Sequence, residues 1–464
     1  MEPLLTIEKL VENLQIENIV NISSNFIIRN ISTDTRTITA DDVFIALRGS
    51  RFDGHNFVEE AYSKGASICI VEQNWYKNNP NINLPLIVVK DTLFFLGELA
   101  NLYREHFDIP FIAVAGSNGK TTTKDFIAHI LSQKYNVLKT EGNLNNLIGV
   151  PLTLFRLKKE HQVAVLEIGT NQPGEIARLC EIIQPTDGVI TNIGKEHLEF
   201  FFDLDGVEME ETTLFGYLFK HAGFAFVNMD DPRLMRYSNF LENKMTYGTN
   251  ENSFLQAKIK LNDELTPEIS FTCDNINLTV RLHNSGLPVA YASIPAVAVG
   301  IKFGLNQEEI NKGLKSFKLP ETNSTGRMLI KKLKNAIIIN DTYNANPSSM
   351  QMALENLKLF ESSSPKIAVL GDMLELGNVS KEEHKTIINL ASEICQNVLL
   401  YGEEMKNALV ELPHLINVSW FPNKQDIVNQ LLKNFTTGEI VLFKASRGMK
   451  CEEILWEFVN KLNN

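Results

Sequence analysis

Apolar positions along this chain follow two rhythms. Short continuous runs rich in β-branched residues each stop at a polar residue or a glycine: Phe111–Ala115, Gln162–Ile168, Gly188–Thr191, Phe224–Asn228, Ala336–Asn340, Ile367–Leu370, Asn397–Tyr401 and Ile440–Phe443. Stretches with helical spacing lie between them, among them Glu98–His106 and Thr123–Gln133. Buried-strand runs alternating with amphipathic helices predict an α/β protein built on mostly parallel sheets. Such sheets place their ligands outside the carboxyl ends of the strands, where these runs turn polar. Asn250–Leu282 behaves differently: polar and apolar residues alternate there, which predicts antiparallel strands added to the sheet of the middle region.

Two breaks divide the pattern. A helix ends near Glu105–Pro110, and the segment FKLPETNST at Phe317–Thr325 has linker composition. The expected domains are therefore 1–108, 109–318 and 319–464, in keeping with 464 residues at roughly 100–200 per domain. The first residues, MEPLLTIEKLVENL, read as an amphipathic helix and not as a leader peptide. No window approaches about 18 consecutive apolar residues, so no membrane insertion is expected. With 44% apolar residues the chain can bury real cores. Its 44 basic and 56 acidic residues give a net charge of -12, which argues against a general nucleic-acid binder but leaves small anionic substrates open. Five scattered cysteines, odd in number and never in a CxxC pair, fit neither a disulfide framework nor a zinc knuckle; they predict a cytoplasmic protein with buried thiols.

The strongest local chemistry is Gly116-Ser117-Asn118-Gly119-Lys120-Thr121-Thr122, which follows one strand-like run and opens a helix. Glycines let backbone amides curl around a phosphate, and the helix N-terminus adds its positive end. Lys120 would reach the β- and γ-phosphates, and the Thr121 hydroxyl would bind Mg²⁺. Glu167 and His197 also fall at strand ends, where a carboxylate and a neutral imidazole would suit a second divalent ion. Asn143, Asn145 and Asn146 crowd one turn, offering amides to a phosphate or sugar edge or simply capping it. In the last third, DTYNANP from Asp341, GDMLELG from Gly371 and KASRG from Lys444 each follow a strand, which predicts a binding face; Arg327 could reach a phosphate bidentately.

These segments closely resemble the Mur ligases of peptidoglycan precursor synthesis. GSNGKTT, TEGNLNNLIGVPLT, LEIGTNQPGEI, TNIGKEHLEF, DTYNANPSSM, GDMLELG and KASRGMK look like motifs of that family in its order, and ISTDTRTITADDVFIALRGSRFDGHNF looks like its uridine-nucleotide segment. DTYNANPSSM and GDMLELG point to the branch that adds D-alanyl-D-alanine to UDP-N-acetylmuramoyl tripeptide. The resemblance implies a small N-terminal α/β domain for the UDP-sugar, a central phosphate-loop ATPase and a C-terminal Rossmann-like domain for the dipeptide. It also implies that ATP phosphorylates the tripeptide's carboxylate and that the dipeptide amine attacks the resulting acyl phosphate. By matching position, the resemblance implies that Arg327 faces the ATP phosphates, that Asp341 and Asn344 contact the nucleotide, and that Thr35 and Arg36 lie near the UDP moiety. Nothing in the sequence demands more than a monomer.

Two places depart from the family. Where it has a carbamylated lysine after the EHLE segment, this chain has Glu211, either a metal-binding carboxylate or part of a solvated helix face. Val289 and Ala292 stand where the family has asparagines beside the adenine pocket. Two other readings stay open: a sibling ligase that adds a single amino acid, and a nucleotide-binding scaffold without turnover.

Overall fold

In a computed structural model, the described residues are 5–49, 52–262, 265–274, 276–319, 326–333, 336–360, 364–435 and 438–463. The linker expected at Phe317–Thr325 lies mostly outside them, as do the first four residues of the expected N-terminal helix. That helix runs over Ile7–Asn13, preceded by a short strand, Leu5–Thr6, paired antiparallel with Ile27–Ile28.

Three larger sheets carry the molecule. The first has five strands in the order Asn18–Val20, Leu86–Val89, Ile68–Glu72, Val43–Ile45 and Ile31–Ser32, parallel except at its first pair. The second has nine. Its parallel centre runs Phe224–Asn228, Asp187–Ile190, Phe111–Ala115, Val163–Glu167 and Val137–Lys139. Phe111–Ala115 and Val163–Glu167 are buried at every residue, because helices cover both faces of the sheet, and this is why they read as unbroken apolar runs. On the other side lie Lys244–Gly248 and Leu255–Leu261, followed by the antiparallel strands Pro267–Cys273 and Ile276–Arg281. Residues of Ile276–Arg281 alternate between buried and exposed, as the polar alternation predicts for a sheet with one wet face. The third sheet has six strands in the order Leu329–Leu333, Ala336–Asp341, Ile440–Lys444, Lys366–Gly371, Asn397–Tyr401 and Val418–Phe421, parallel after its first pair.

One contiguous set of buried apolar side chains links all three sheets, running from Leu5 through Phe111 to Leu442. The joint between the first two sheets is the helix Thr92–Arg104. It starts six residues before the expected Glu98, because Asp91 caps it by accepting from the Phe94 amide at 2.8 Å. Its last turns are bonded to the central layer: Tyr103 Oη donates to Leu157 O (2.8 Å), Arg104 Nε to Ile183 O (2.7 Å) and Asn101 Nδ2 to Ile182 O (3.0 Å). Tyr103 is fully buried, its ring set edge-on to Phe107 at 5.2 Å. Tyr103→Phe should lower the free energy of the first denaturant transition by about 1 kcal/mol, the value of one buried hydrogen bond. Tyr103→Ala, which also empties the ring's space, should cost about 3–5 kcal/mol in the same urea titration.

Candidate active site

The strand Phe111–Ala115 lies where the central sheet reverses direction. The chain passes from it to the edge strand Val137–Lys139, returns through Val163–Glu167 and then crosses to Asp187–Ile190 on the other side. The carboxyl ends of such neighbouring strands open the crevice in which α/β sheets bind ligands. Gly116 turns out of the strand with φ +109°, and a Cβ there would collide with the Thr191 hydroxyl and stand 2.7 Å from the Thr191 amide. Gly119, at φ +82°, caps the helix Lys120–Leu131, which therefore begins three residues before the expected Thr123. The loop between the glycines is buttressed by the next strand end: Ser117 N donates to Asn192 O (2.9 Å), Asn118 N to Asn192 Oδ1 (3.2 Å) and Ser117 Oγ to Gly194 O (3.0 Å). The helix's first amides are left to face an anion.

Lys120 folds back on this loop. Its Nζ donates to the carbonyls of Gly116 and Ser117, and Oε2 of Glu196 lies 3.6 Å away. Burial works against the ammonium, but Glu196, Glu211 and Glu167 outweigh it and raise its pKa above the ordinary lysine value.

Glu167 is 2% exposed and organises the next part of the site. Its Oε1 accepts from Thr121 Oγ1 (3.0 Å) and Asn145 Nδ2 (2.9 Å), while Oε2 is buried without a hydrogen-bond partner. An unpartnered carboxylate oxygen beside a loop hydroxyl suits a hard cation that takes oxygen ligands, so these two residues fit Mg²⁺. Asn146 spends its Oδ1 on the amides of Ile148 and Gly149 at the start of the helix Gly149–Leu154.

The third sheet meets the phosphate loop face to face. Asn346, which caps the helix Pro347–Leu359, donates from Nδ2 to Asn118 Oδ1 (3.2 Å). Ser348 Oγ accepts from Lys195 N (2.8 Å), and Lys195 Nζ pairs with Glu383 (2.6 Å). His197 Nδ1 lies 2.6 Å from Glu375 Oε2, and the imidazole holds that carboxyl below the usual glutamate range. Asp341 is nearly buried; Oδ2 takes Lys444 Nζ at 2.6 Å and Oδ1 the Met328 amide at 3.0 Å. Lys444 also donates to Asn344 O (2.9 Å), and the Arg327 guanidinium stacks 3.7 Å over the Tyr343 ring.

Together these elements enclose a cavity of about 430 Å³. Of the residues expected from the sequence, Ser117, Asn118, Gly119, Lys120, Thr121, Thr122, Asn143, Asn145, Asn146, Glu167, His197, Arg327, Asp341 and Asn344 line it. Val289 lines it too, beside Pro288, giving it an apolar edge on the helix Leu287–Lys302; Ala292 is buried in that helix, away from the cavity. Thr35 and Arg36 sit elsewhere, on an exposed turn where Arg36 pairs with Asp34 at 2.6 Å and Thr35 bonds Glu60 at 3.1 Å.

Glu211 corrects both of its expected roles. It is fully buried, so it is not on a solvated face; nor does it line the cavity, since Oε2 accepts the Gly116 amide at 2.7 Å. Burial, reinforced by Glu196, pushes its carboxyl up to about 8 although Lys120 pulls the other way. The cation set of Glu167, His197 and Glu211 is thus not assembled, and among the described residues no three His, Cys, Asp or Glu side chains form a cation-binding group.

Glu196, Glu375, Asn346 and Lys444 had drawn no individual role from the sequence. Lys444 alone carries a visible signal, a charge directly after the apolar run Ile440–Phe443.

Three family models match the chain: "Mur ligase family, catalytic domain" over residues 27–104, "Mur ligase middle domain" over 114–300 and "Mur ligase, glutamate ligase domain" over 326–447. The chain is 36% identical over 441 residues to a UDP-N-acetylmuramoyl-tripeptide–D-alanyl-D-alanine ligase of Bacillus subtilis, covering 93% of each. A crystal structure of MurF from Acinetobacter baumannii superposes with a TM-score of 0.87 at 30% identity, covering 98% of this chain and 99% of that one. The MurF ligase of Thermotoga maritima in complex with ADP gives 0.81 at 29% identity, covering 94% and 98%.

Gly116→Ala tests the loop. The strain of a side chain at that φ is about 1–3 kcal/mol, so ADP binding measured by calorimetry should weaken roughly 10–100-fold while the far-UV circular dichroism stays unchanged.

Proposed function

Because the chain belongs to the Mur ligase family, we propose that its cavity is where ATP meets the UDP-linked peptide and the incoming dipeptide. The protein is an ATP-dependent ligase that joins D-alanyl-D-alanine to UDP-N-acetylmuramoyl tripeptide through a new C–N bond, a step of peptidoglycan synthesis. One observation carries the assignment of the site: the phosphate loop of the central sheet and the strand-end loops of the third sheet line a single cavity, bonded to each other through Asn118 and Asn346.

The reaction we assign runs in two steps. A carboxylate oxygen of the tripeptide attacks the γ-phosphorus of ATP, and ADP leaves. The dipeptide amine then attacks the acyl carbon, and a tetrahedral intermediate collapses to the amide, releasing inorganic phosphate and a proton. Phosphoryl transfer asks mainly for position and charge stabilisation. Lys120 and the first amides of the helix Lys120–Leu131 hold the β- and γ-phosphates, and Arg327, kept flat by Tyr343, meets them from the third sheet. Thr121 and Glu167 would hold Mg²⁺, which when bound neutralises phosphate charge. Asp341 is committed to Lys444 and the Met328 amide, so its part is to set the backbone beside Arg327; Asn344 continues that loop toward the nucleotide.

The division 1–108, 109–318 and 319–464 belongs to the same reading. Each large sheet falls inside one stretch, and UDP is assigned to the first, with Thr35 and Arg36 as contacts, while the Asn143–Asn146 turn offers its amides to a phosphate or sugar edge of the substrate. A monomer is the proposed working form. No described helix is long and apolar enough to cross a membrane, and all five cysteines are free thiols, which supports a reducing, cytoplasmic setting.

Phosphate release from ATP and Mg²⁺ should require both UDP-N-acetylmuramoyl tripeptide and D-alanyl-D-alanine, with the pentapeptide appearing by mass spectrometry. Release supported by single amino acids instead would replace this reading with the sibling ligase. Lys120→Ala should cut turnover at least roughly 100-fold, the scale for removing one preorganised charge at a transition state. EDTA should stop turnover and excess Mg²⁺ restore it.

A further inference from the structure

Glu211 closes the helix Leu204–Glu211 with its side chain entirely out of solvent, yet it makes one well-formed bond, from the Gly116 amide across 95 positions of sequence. The carboxyl of the neighbouring Glu196 faces it. Gly116 is the residue on which the phosphate loop turns, with φ +109°. Its amide is held by Glu211 and its carbonyl by Lys120, whose ammonium in turn faces Glu196. The first residue of the loop is therefore held at both its amide and its carbonyl, while the amides at the start of the helix Lys120–Leu131 stay free for an anion. A buried N–H left without an acceptor is costly, so the loop would abandon this turn if Glu211 offered none.

We propose that Glu211 is a positioning residue that preforms the phosphate loop: it fixes Gly116 by accepting its amide hydrogen and thereby sets where Lys120 rests before nucleotide arrives. The inference rests on the cavity being the nucleotide site. What Glu211 contributes is an acceptor oxygen and not a charge presented to the ligand. Preformation acts on binding, because a loop populating several shapes binds with an affinity reduced by the fraction in the competent one.

The test is ADP affinity by calorimetry in EDTA, without any metal, on the full chain and its Glu211 variants. Glu211→Gln keeps an acceptor oxygen and should hold ADP within about threefold of the parent. Glu211→Leu keeps the volume but has no acceptor, and should bind ADP roughly 10–100-fold more weakly. In steady state its KM for ATP should rise by a similar factor, with a smaller change in kcat. Hydrogen exchange at the Gly116 amide, followed by NMR, should quicken in Glu211→Leu and stay slow in Glu211→Gln; this reads the bond itself even where a variant is less stable. Equal ADP affinity in Glu211→Leu and the parent would overturn the proposal. So would a Glu211→Gln protein as weak as Glu211→Leu, which would make charge the operative property. A parent chain that binds no ADP would instead remove the nucleotide-site reading beneath it.

Discussion

The cavity depends on the turn at Gly116. A parallel sheet ends its strands in register, so Ala115, Glu167 and Ile190 come to the same edge, and the residues after them share one opening. Reaching that opening requires the backbone to leave the strand through a conformation that only glycine adopts easily, against a Thr191 that leaves no room for a side chain. From that turn follow the helix N-terminus, the place of Lys120, and the pairing of Thr121 with Glu167.

What the sequence revealed and what it hid divide along a physical line. The apolar runs were legible because a strand covered on both faces must be apolar, and Phe111–Ala115, Phe224–Asn228 and Asn397–Tyr401 appear with the expected bounds. The glycine turn at Gly116–Gly119 and the helix after it were legible because their signals are local. The run Glu208-Met209-Glu210-Glu211 was not. Its three glutamates are all buried, against the usual meaning of charge, each for its own distant partner: Glu208 with Arg233 and Arg236, Glu210 with the amides of Gly174 and Ile176, Glu211 with Gly116. Hydropathy cannot show such pairing, since it assigns every glutamate to water. Asn118 with Asn346 and His197 with Glu375 are hidden for the same reason: chain separation carries no periodic signal.

The docking of the third sheet has a consequence for specificity. Several of its contacts to the central layer run through residues that sit beside or within the phosphate loop: Asn118 in the loop itself, and Lys195 and His197 in the segment after the neighbouring strand. A nucleotide entering the loop must therefore share its surroundings with the joint between the sheets. The proposed reaction needs three substrates brought together with water kept from an acyl phosphate, a requirement that falls on the same joint.

An acidic protein that holds a triphosphate faces an electrostatic difficulty, sharpened here by the carboxyl groups of Glu167 and Glu196 beside one lysine, with that of Glu211 raised by burial behind them. The geometry resolves it by giving each carboxylate a separate task. Glu211 is turned away from the cavity onto an amide, Glu167 binds the loop hydroxyl and keeps one oxygen for a cation, and Glu196 offsets the cost of burying the ammonium. Lys120 meanwhile is bonded to carbonyl oxygens of its own loop. In the proposed complex, phosphate oxygens would replace those acceptors, so the lysine would exchange one set of partners for another and not be stripped of water at that moment. Its desolvation has been met in folding, which leaves the interaction with transferring phosphate charge available to the reaction.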